Sequence, residues 1–219
     1  MRRRATHVIF DMDGVLLDTE GLYTQATQQI VGRYGKTYDW SIKGNMIGRP
    51  AMDSARYLVD ALALPISPES YLEERAVLFE ELMPTAAEMP GARALTTALA
   101  ARGIAMAVAS SSSRVMFELK TIRHRDWFAC FAAIVLGDDP RVRRGKPAPD
   151  IFLVTAEALG ATPADCVVVE DAPAGLQAAR AAGMRVVAVP DPGMDHARFG
   201  GADLMVASLA DLEVDALLA

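Results

Sequence analysis

Short apolar segments that alternate with helical segments are the feature that most restricts how this chain can fold. Fully apolar strands alternating with helices are typical of a parallel sheet covered on both faces. We therefore predict an α/β fold with a Rossmann-like parallel sheet. The predicted strands are His7–Phe10, Ile104–Ala109, Ala133–Leu136, Cys166–Val169, Arg185–Val189 and the weaker Leu204–Val206.

Predicted helices lie between these strands, and each is followed by a glycine that suits a left-handed C-terminal cap. The helices are Ala92–Ala101, Pro149–Leu159 and Pro173–Ala182, and the glycines are Gly103, Gly160 and Gly183.

The segment Thr19–Met89 breaks this alternation, because it contains several helical patterns and no convincing strand. One of them begins at Ser67, a predicted N-cap that is followed by Pro68. About 70 residues is far longer than an ordinary crossover between strands. We therefore predict a core domain of residues 1–18 and 88–219 and an inserted helical cap domain of residues 19–87.

Composition excludes several classes of protein. The chain has 219 residues, with 22 Lys and Arg against 28 Asp and Glu, which gives a net charge of −6. A basic surface for nucleic acid is therefore not expected, and no apolar run approaches the ~20 residues of a membrane span. Cys130 and Cys166 stand among apolar neighbours, where we expect reduced core residues. We expect a cytoplasmic protein and, by default, a monomer.

Two acids follow the first predicted strand. Asp11 and Asp13 are separated by one residue and followed by Gly14. Ligands bind at the carboxyl ends of strands in open parallel sheets, and a glycine turn can present N–H groups to an anion. A solvated acidic turn explains this pattern equally well.

Hydroxyl residues and a lysine follow other strands. The second strand runs into Ser110–Ser113, whose hydroxyl and N–H groups suit a phosphoryl oxygen, although such a run is also an ordinary N-cap. Lys146 lies between glycine and proline in a loop before a helix. It is either a solvated surface residue or a fixed charge for a transferring phosphoryl group.

A second acidic pair, Glu170 and Asp171, follows the strand Cys166–Val169. Four carboxylates are thereby predicted at one sheet edge, where two like charges ~4 Å apart repel by roughly 4 kcal/mol at an effective dielectric of 20. We expect a divalent cation to relieve this repulsion. Oxygen ligands favour Mg²⁺ over zinc.

These residues, in this order, resemble the haloacid-dehalogenase-like superfamily of phosphohydrolases, and the insertion is similar to its type-one cap. The matching segments are DMDGVLLDTE at Asp11–Glu20, AVASSSS ending at Ser113, GKPAPDIF at Gly145–Phe152 and VVVEDAPAG at Val167–Gly175.

A narrower resemblance covers nearly the whole chain. It is to the group of pseudouridine-5′-phosphatase and glycerol-3-phosphatase-like enzymes, and it implies a small phosphorylated metabolite as substrate. Pseudouridine 5′-phosphate is favoured, with glycerol 3-phosphate or a sugar phosphate next. The segments that carry it include Met83–Ala86, Met89–Ala92, Phe117–His124, Ile134–Val142 and Ala181–Asp191.

The resemblance implies a mechanism. Asp11 attacks phosphorus and becomes an aspartyl phosphate, and Asp13, favoured in its protonated form by acidic neighbours, acts as general acid and then base. The implied Mg²⁺ ligands are the Asp11 carboxylate, the Asp13 carbonyl, Asp171, and Glu170 directly or through water. The implied phosphoryl-binding groups are Ser110, the Ser111 N–H, Gly14 and Lys146.

The cap implied by the resemblance closes over the leaving group and sets specificity. Glu20, Tyr23 and Arg49 are the candidate substrate contacts. Glu20 and Tyr23 have an alternative role in supporting the hinge or packing within the first cap helix, and Arg49 an alternative place in solvent.

Rival interpretations remain at this stage. A sugar-phosphate mutase resembling β-phosphoglucomutase is disfavoured because Tyr23 stands where those enzymes place a histidine. A dehalogenase is disfavoured by Asp13, which supplies an acid–base group. A phospho-accepting signalling domain uses similar residues, but such domains are much shorter and lack a cap.

Overall fold

The computed structural model describes residues 4–46 and 51–219, and the chain divides into two compact units. The first unit comprises Met1–Asp18 and Ala87–Ala219, and the second comprises Thr19–Ala86. The division therefore lies between residues 86 and 87, where we predicted a boundary between 87 and 88. The role of the second unit as a cap stays a prediction.

The first unit is built on a six-stranded parallel sheet, so the prediction of a parallel α/β sheet is confirmed. The strands of the described residues are β1 His7–Phe10, β2 Leu17–Asp18, β3 Ala87–Glu88, β4 Ala105–Ser110, β5 Ala133–Leu136, β6 Cys166–Glu170, β7 Arg185–Ala188 and β8 Leu204–Met205. The order of the strands in the six-stranded sheet is β5-β4-β1-β6-β7-β8.

Helices surround this sheet and also form the second unit. The α-helices are α1 Glu20–Gly32, α2 Trp40–Lys43, α3 Ala51–Leu62, α4 Pro68–Leu82, α5 Ala92–Ala101, α6 Arg114–Thr121, α7 Arg125–Phe128, α8 Asp150–Ala158, α9 Pro173–Ala181 and α10 Val214–Leu218. Short 3-10 helices are Met83–Thr85, Pro163–Asp165, His196–Phe199 and Leu209–Asp211.

The central strand β1 is apolar because both of its faces are covered. Ile9 belongs to a core cluster that includes Phe152 of α8 and Leu176 of α9. Val8 and Phe10 point to the opposite face, since side chains alternate along a strand, and they too are fully buried. Burial on both faces leaves the carboxyl ends of the strands as the place where polar side chains can collect.

The glycines predicted to follow three helices adopt the expected backbone. Gly103, Gly160 and Gly183 have φ of 68°, 66° and 78°, the left-handed conformation that glycine adopts without steric cost. The helices α5, α8 and α9 end just before them, so this sequence signal is confirmed.

A two-stranded antiparallel sheet was missed in the sequence. Leu17 pairs with Glu88 and Asp18 with Ala87, so a strand exists within the segment Thr19–Met89 where we expected none. A strand of two residues is too short to show an alternating pattern.

The second unit packs its helices around Ile30, Leu58 and Tyr71. The Tyr71 hydroxyl lies 3.0 Å from the Thr27 hydroxyl, which satisfies both groups in this interior. The predicted N-cap of α4 is confirmed, because the Ser67 hydroxyl accepts a hydrogen bond from the Ser70 N–H at 3.1 Å.

Both cysteines are reduced, but only one is a core residue. Cys166 is buried, and burial raises the pKa of its thiol to about 11. Cys130 is exposed, so the prediction that it belongs to the core is wrong. It lies two residues after the end of helix α7. Within the described residues, every helix falls short of the length and apolar character that a bilayer crossing needs.

Candidate active site

The polar side chains predicted at strand ends come together because their strands are neighbours. Strand β1 lies between β4 and β6, with Phe10 opposite Val108 on one side and Val169 on the other. Asp11 follows β1, and Ser110 and Glu170 are the last residues of β4 and β6. One sheet edge thus carries these three side chains.

Lys146 joins two of the acids. Its ammonium donates to Asp11 Oδ1 at 2.5 Å, to Glu170 Oε1, and to the Ala109 carbonyl at 3.4 Å. The ammonium also lies 5.0 Å from the centre of the Phe152 ring. Lys146 is therefore a cation of the site with only 9% of its side chain exposed, and the alternative of a solvated surface lysine is wrong.

The charges of this group shift the ionisation of its members. Burial raises the pKa of Asp11 to about 7, with Lys146 opposing the shift and Glu170 adding to it. Burial disfavours the charged form of Lys146, but the carboxylates of Asp11 and Glu170 outweigh it and raise the pKa of that ammonium above its ordinary value. One lysine thus serves two buried carboxylates.

Glu170 is held rigidly from its other side. Its Oε2 accepts the Ala172 N–H at 3.0 Å, just before helix α9. Gly175 makes this possible, because a Cβ there would overlap the Glu170 carboxylate. Both oxygens of Glu170 therefore have protein partners, so its part in this structure is to anchor Lys146.

Asp13 has a set of donors that the sequence did not predict. Its Oδ2 accepts the hydroxyl hydrogens of Ser110 and Ser112 at 3.3 and 3.1 Å. Its Oδ1 accepts the ammonium of Lys120 at 2.5 Å. We expected acidic neighbours around Asp13, and Asp11 is close enough to interact with it electrostatically. The structure adds the three donors of Ser110, Ser112 and Lys120, which were not expected.

Lys120 is the residue that sequence reasoning missed. It lies in the segment Phe117–His124, which carried the family resemblance, but it received no role. Its signal is helical spacing: Phe117, Lys120 and Thr121 are all buried, so the lysine occupies the inward stripe of α6.

The two lysines correct the argument from crowded charges. Lys146 and Lys120 place two ammonium groups among the acids, so repulsion alone does not require a metal ion. From the sequence, only Lys146 was expected at this edge. Among residues 4–46 and 51–219, no set of three or more His, Cys, Asp and Glu side chains is arranged to hold a metal.

The turn after Asp11 nevertheless suits a metal ion. Gly14 has φ of 76°, and a Cβ there would overlap the carboxylate of Asp171. The absence of a side chain thus allows the Asp171 carboxylate to lie against the turn that carries Asp11 and Asp13. Carboxylate and carbonyl oxygens are the ligands that Mg²⁺ prefers, so the residues present fit this ion.

Gly14 leaves space for Asp171, and its own N–H is already engaged. That N–H donates to the Leu17 carbonyl at 2.9 Å, which closes the turn. Of the N–H groups that the glycine turn was expected to present to an anion, the Gly14 N–H is therefore not available in this conformation.

The remaining serines differ in their surroundings. Ser111 is exposed, and its carbonyl lies so close to Gly137 that a Cβ there would overlap it. Ser113 is the N-cap of α6, with its hydroxyl accepting the Met116 N–H at 3.4 Å. The N-cap interpretation of the serine run thus applies to Ser113, while Ser110 and Ser112 face Asp13.

The other candidate substrate contacts belong to the second unit. Glu20 forms an ion pair with Lys43 at 3.1 Å, and Tyr23 packs edge-on against Phe79 with ring centres 4.9 Å apart. Both residues therefore have packing or charge partners within their own unit. Arg49 lies outside the described residues.

The family model for the haloacid dehalogenase-like hydrolases matches residues 5–183. The chain therefore belongs to this family, as the motifs indicated.

Similar proteins define its class of activity. The chain is 45% identical to (DL)-glycerol-3-phosphatase 1, mitochondrial, of Arabidopsis thaliana, over 97% of this chain and 73% of that protein. It is 46% identical to "Probable pseudouridine-5'-phosphatase" of Drosophila melanogaster, over 96% and 93%. A HAD family hydrolase from Deinococcus radiodurans R1, solved with bound phosphate and sodium, superposes with a TM-score of 0.80 at 28% identity, over 94% and 93%. Within its family, the chain is a phosphatase.

Proposed function

We propose that this phosphatase is a magnesium-dependent phosphomonoesterase that works through an aspartyl phosphate on Asp11. The observation that carries the proposal is the buried pair of Asp11 and Lys146, 2.5 Å apart. A carboxylate beside a fixed ammonium combines a nucleophile with a positive charge for the incoming phosphoryl oxygens.

The reaction has two halves. In the first, an Asp11 carboxylate oxygen bonds to phosphorus, the bond from phosphorus to the leaving oxygen breaks, and Asp13 gives that oxygen a proton. In the second, Asp13 takes a proton from water as the water oxygen bonds to phosphorus, and the bond from Asp11 to phosphorus breaks. Covalent catalysis divides one difficult step into two easier ones.

The Asp13 carboxylate must change its protonation between the halves. In this structure its donors Ser110, Ser112 and Lys120 favour the carboxylate, the form that the second half requires. The first half requires a protonated Asp13, so we expect Ser110 to exchange its bond to Asp13 for one to the phosphoryl group.

Mg²⁺ is the proposed cofactor. Asp11, the Asp13 carbonyl and Asp171 would hold it, with Glu170 acting through water because both of its oxygens have partners. When bound, the ion supplies positive charge that offsets the charge of the phosphoryl oxygens. The proposed protein groups for those oxygens are the Ser110 hydroxyl, the Ser111 N–H and Lys146.

The proposed substrate is a small phosphorylated metabolite, with pseudouridine 5′-phosphate favoured over glycerol 3-phosphate and sugar phosphates. The names of the two similar phosphatases support this class. Glu20, Tyr23 and Arg49 stay the proposed specificity residues of the second unit.

A phosphate-release screen over a panel of phosphomonoesters tests the proposal. We expect pseudouridine 5′-phosphate to exceed glycerol 3-phosphate in kcat/KM by about a hundredfold, which corresponds to about 2.7 kcal/mol. An advantage of that size for glycerol 3-phosphate would reassign the substrate.

The panel also includes glucose 1-phosphate, with glucose 6-phosphate formation as a second readout. Isomerisation without phosphate release would identify a mutase. Phosphate release from none of the esters would overturn the proposed function.

A further inference from the structure

Lys120 is the most deeply buried cation that the described part of the chain contains. Its residue is 1% exposed, and its side chain is not exposed at all. Lysine is almost never fully buried unless it is paired, because removal of an ammonium from water is strongly unfavourable. A lysine on the inward stripe of α6 therefore needs a partner that compensates for this cost.

The partners of Lys120 belong to the site. Its ammonium donates to Asp13 Oδ1 at 2.5 Å and to the Ser112 hydroxyl at 2.8 Å. Ser112 in turn donates to Asp13 Oδ2 at 3.1 Å. Lys120 and Ser112 thus contact different oxygens of the same carboxylate and contact each other.

This arrangement fixes the direction of the Asp13 carboxylate. A carboxylate held at one oxygen can still rotate about its Cβ–Cγ bond, but donors at both oxygens oppose that rotation. Proton transfer is efficient only when the acid or base is held within reach of its target. The contacts of Lys120 therefore serve the residue proposed to move protons.

We propose that Lys120 is a positioning residue for Asp13, an inference that rests on the proposed function. Lys120 does not touch the substrate in this account. It acts with Ser112 to keep the Asp13 carboxylate oriented, so that loss of Lys120 harms only the steps in which Asp13 transfers a proton.

Leaving groups of different basicity separate such a role from general damage. The leaving group of pseudouridine 5′-phosphate is an alkoxide, which needs a proton from Asp13. The leaving group of 2,4-dinitrophenyl phosphate is a stable phenolate, which does not need one. The value of kcat/KM reports the first half-reaction, and kcat also reports the second.

The central variants are Lys120→Met and Asp13→Asn, alone and combined. We expect Lys120→Met to lower kcat/KM for pseudouridine 5′-phosphate by about 10- to 100-fold, less than the ~10²–10⁴-fold expected for Asp13→Asn. For 2,4-dinitrophenyl phosphate, kcat/KM should change by less than about threefold, while kcat falls and a burst of phenolate appears. In the Asp13→Asn background, Lys120→Met should add less than about twofold, because both act through one group.

Further variants control for folding. Lys120→Arg keeps the cation and should recover part of the loss. Ser112→Ala removes one donor without a change of charge. It should give the same dependence of kcat/KM on the leaving group as Lys120→Met, but a smaller loss. Arg180→Met removes a cation paired with Asp203 at 3.2 Å in the same unit, and it should give no dependence on leaving group. Thermal unfolding shows which variants fold. If Lys120→Met does not fold, Ser112→Ala is the variant that tests the inference.

Two results would overturn the inference. One is an equal loss of kcat/KM for both esters in the Lys120 and Ser112 variants, and the other is a loss that multiplies with that of Asp13→Asn. If Asp13→Asn itself shows no dependence on leaving group, the proposed role of Asp13 fails. If Asp13→Asn shows it and the Lys120 and Ser112 variants do not, only the positioning role fails.

Discussion

At the scale of single residues, the site is a set of acids that share cations. Lys146 serves Asp11 and Glu170, and Lys120 serves Asp13. Asp11 is 6% exposed, and the lysine that pairs with it, Lys146, also pairs with a second carboxylate. Burial raises its pKa to about 7, with Glu170 and Asp13 adding to the shift and Lys146 opposing it.

This raised pKa predicts how stability depends on pH. The folded protein keeps a proton on Asp11 up to about pH 7, whereas the unfolded chain releases it near 3.8. The contribution of Asp11 is therefore full below about pH 4 and is lost as the pH rises to about 7, a change on the order of a few kcal/mol. In EDTA, we expect the Tm of wild type to fall more steeply over this range than that of Asp11→Asn. Parallel Tm curves would show that Asp11 is not perturbed.

At the scale of elements, two glycines leave room for acidic side chains to lie directly against the backbone of a turn or a helix. Gly14 admits the Asp171 carboxylate against the turn after β1, and Gly175 of α9 admits the Glu170 carboxylate. The positions of these acids thus depend on residues that have no side chain of their own.

Gly14→Ala should therefore harm both stability and activity. A Cβ at φ of 76° costs roughly 1–2 kcal/mol, and it would also displace Asp171. The matched control is Gly183→Ala, where φ is 78° and a Cβ would meet nothing within 4 Å. We expect both variants to lose Tm, but only Gly14→Ala to lose phosphate release. Similar activity in the two variants would contradict the account of Gly14.

Local sequence signals explain which elements could be predicted. The strands β1 and β5 match their predicted bounds, because apolar runs followed by acids or turns are local patterns. The same signal located Asp11, Glu170 and Asp171. The strand Ala87–Glu88 was not predicted. Its pairing with Leu17–Asp18 is a long-range contact, and two residues are too few to show an alternating strand pattern.

Side-chain partners were harder to predict than elements. A lysine on a short helix, such as Lys120, is typical of a solvated surface. Only the fold shows that its partner is Asp13, which lies 107 positions away in the sequence. Gly14 indicated an anion-binding turn, because a glycine in the sequence shows that the backbone is free to turn. The sequence does not show that the Gly14 N–H donates to the Leu17 carbonyl. Such contacts depend on the tertiary fold, and single-sequence patterns do not contain it.

At the scale of the whole molecule, the proposed Mg²⁺ site would couple metal binding to stability and activity. Chelation by EDTA should abolish phosphate release, and added Mg²⁺ should restore it. An ion that binds only the folded protein stabilises it by about 2.7 kcal/mol at a hundred times its Kd, so Mg²⁺ should also raise the Tm. Asp171→Asn should lose both responses. Full activity after exhaustive removal of metal would exclude the proposed cofactor.

The proposed aspartyl phosphate on Asp11 is best tested by locating the phosphoryl group during turnover. Enzyme mixed with pseudouridine 5′-phosphate and Mg²⁺ is quenched in acid within one turnover, digested, and analysed by mass spectrometry. We expect one phosphoryl group on the peptide that contains Asp11, and none in Asp11→Asn. A phosphoryl group on another residue, or its persistence in Asp11→Asn, would exclude Asp11 as the nucleophile.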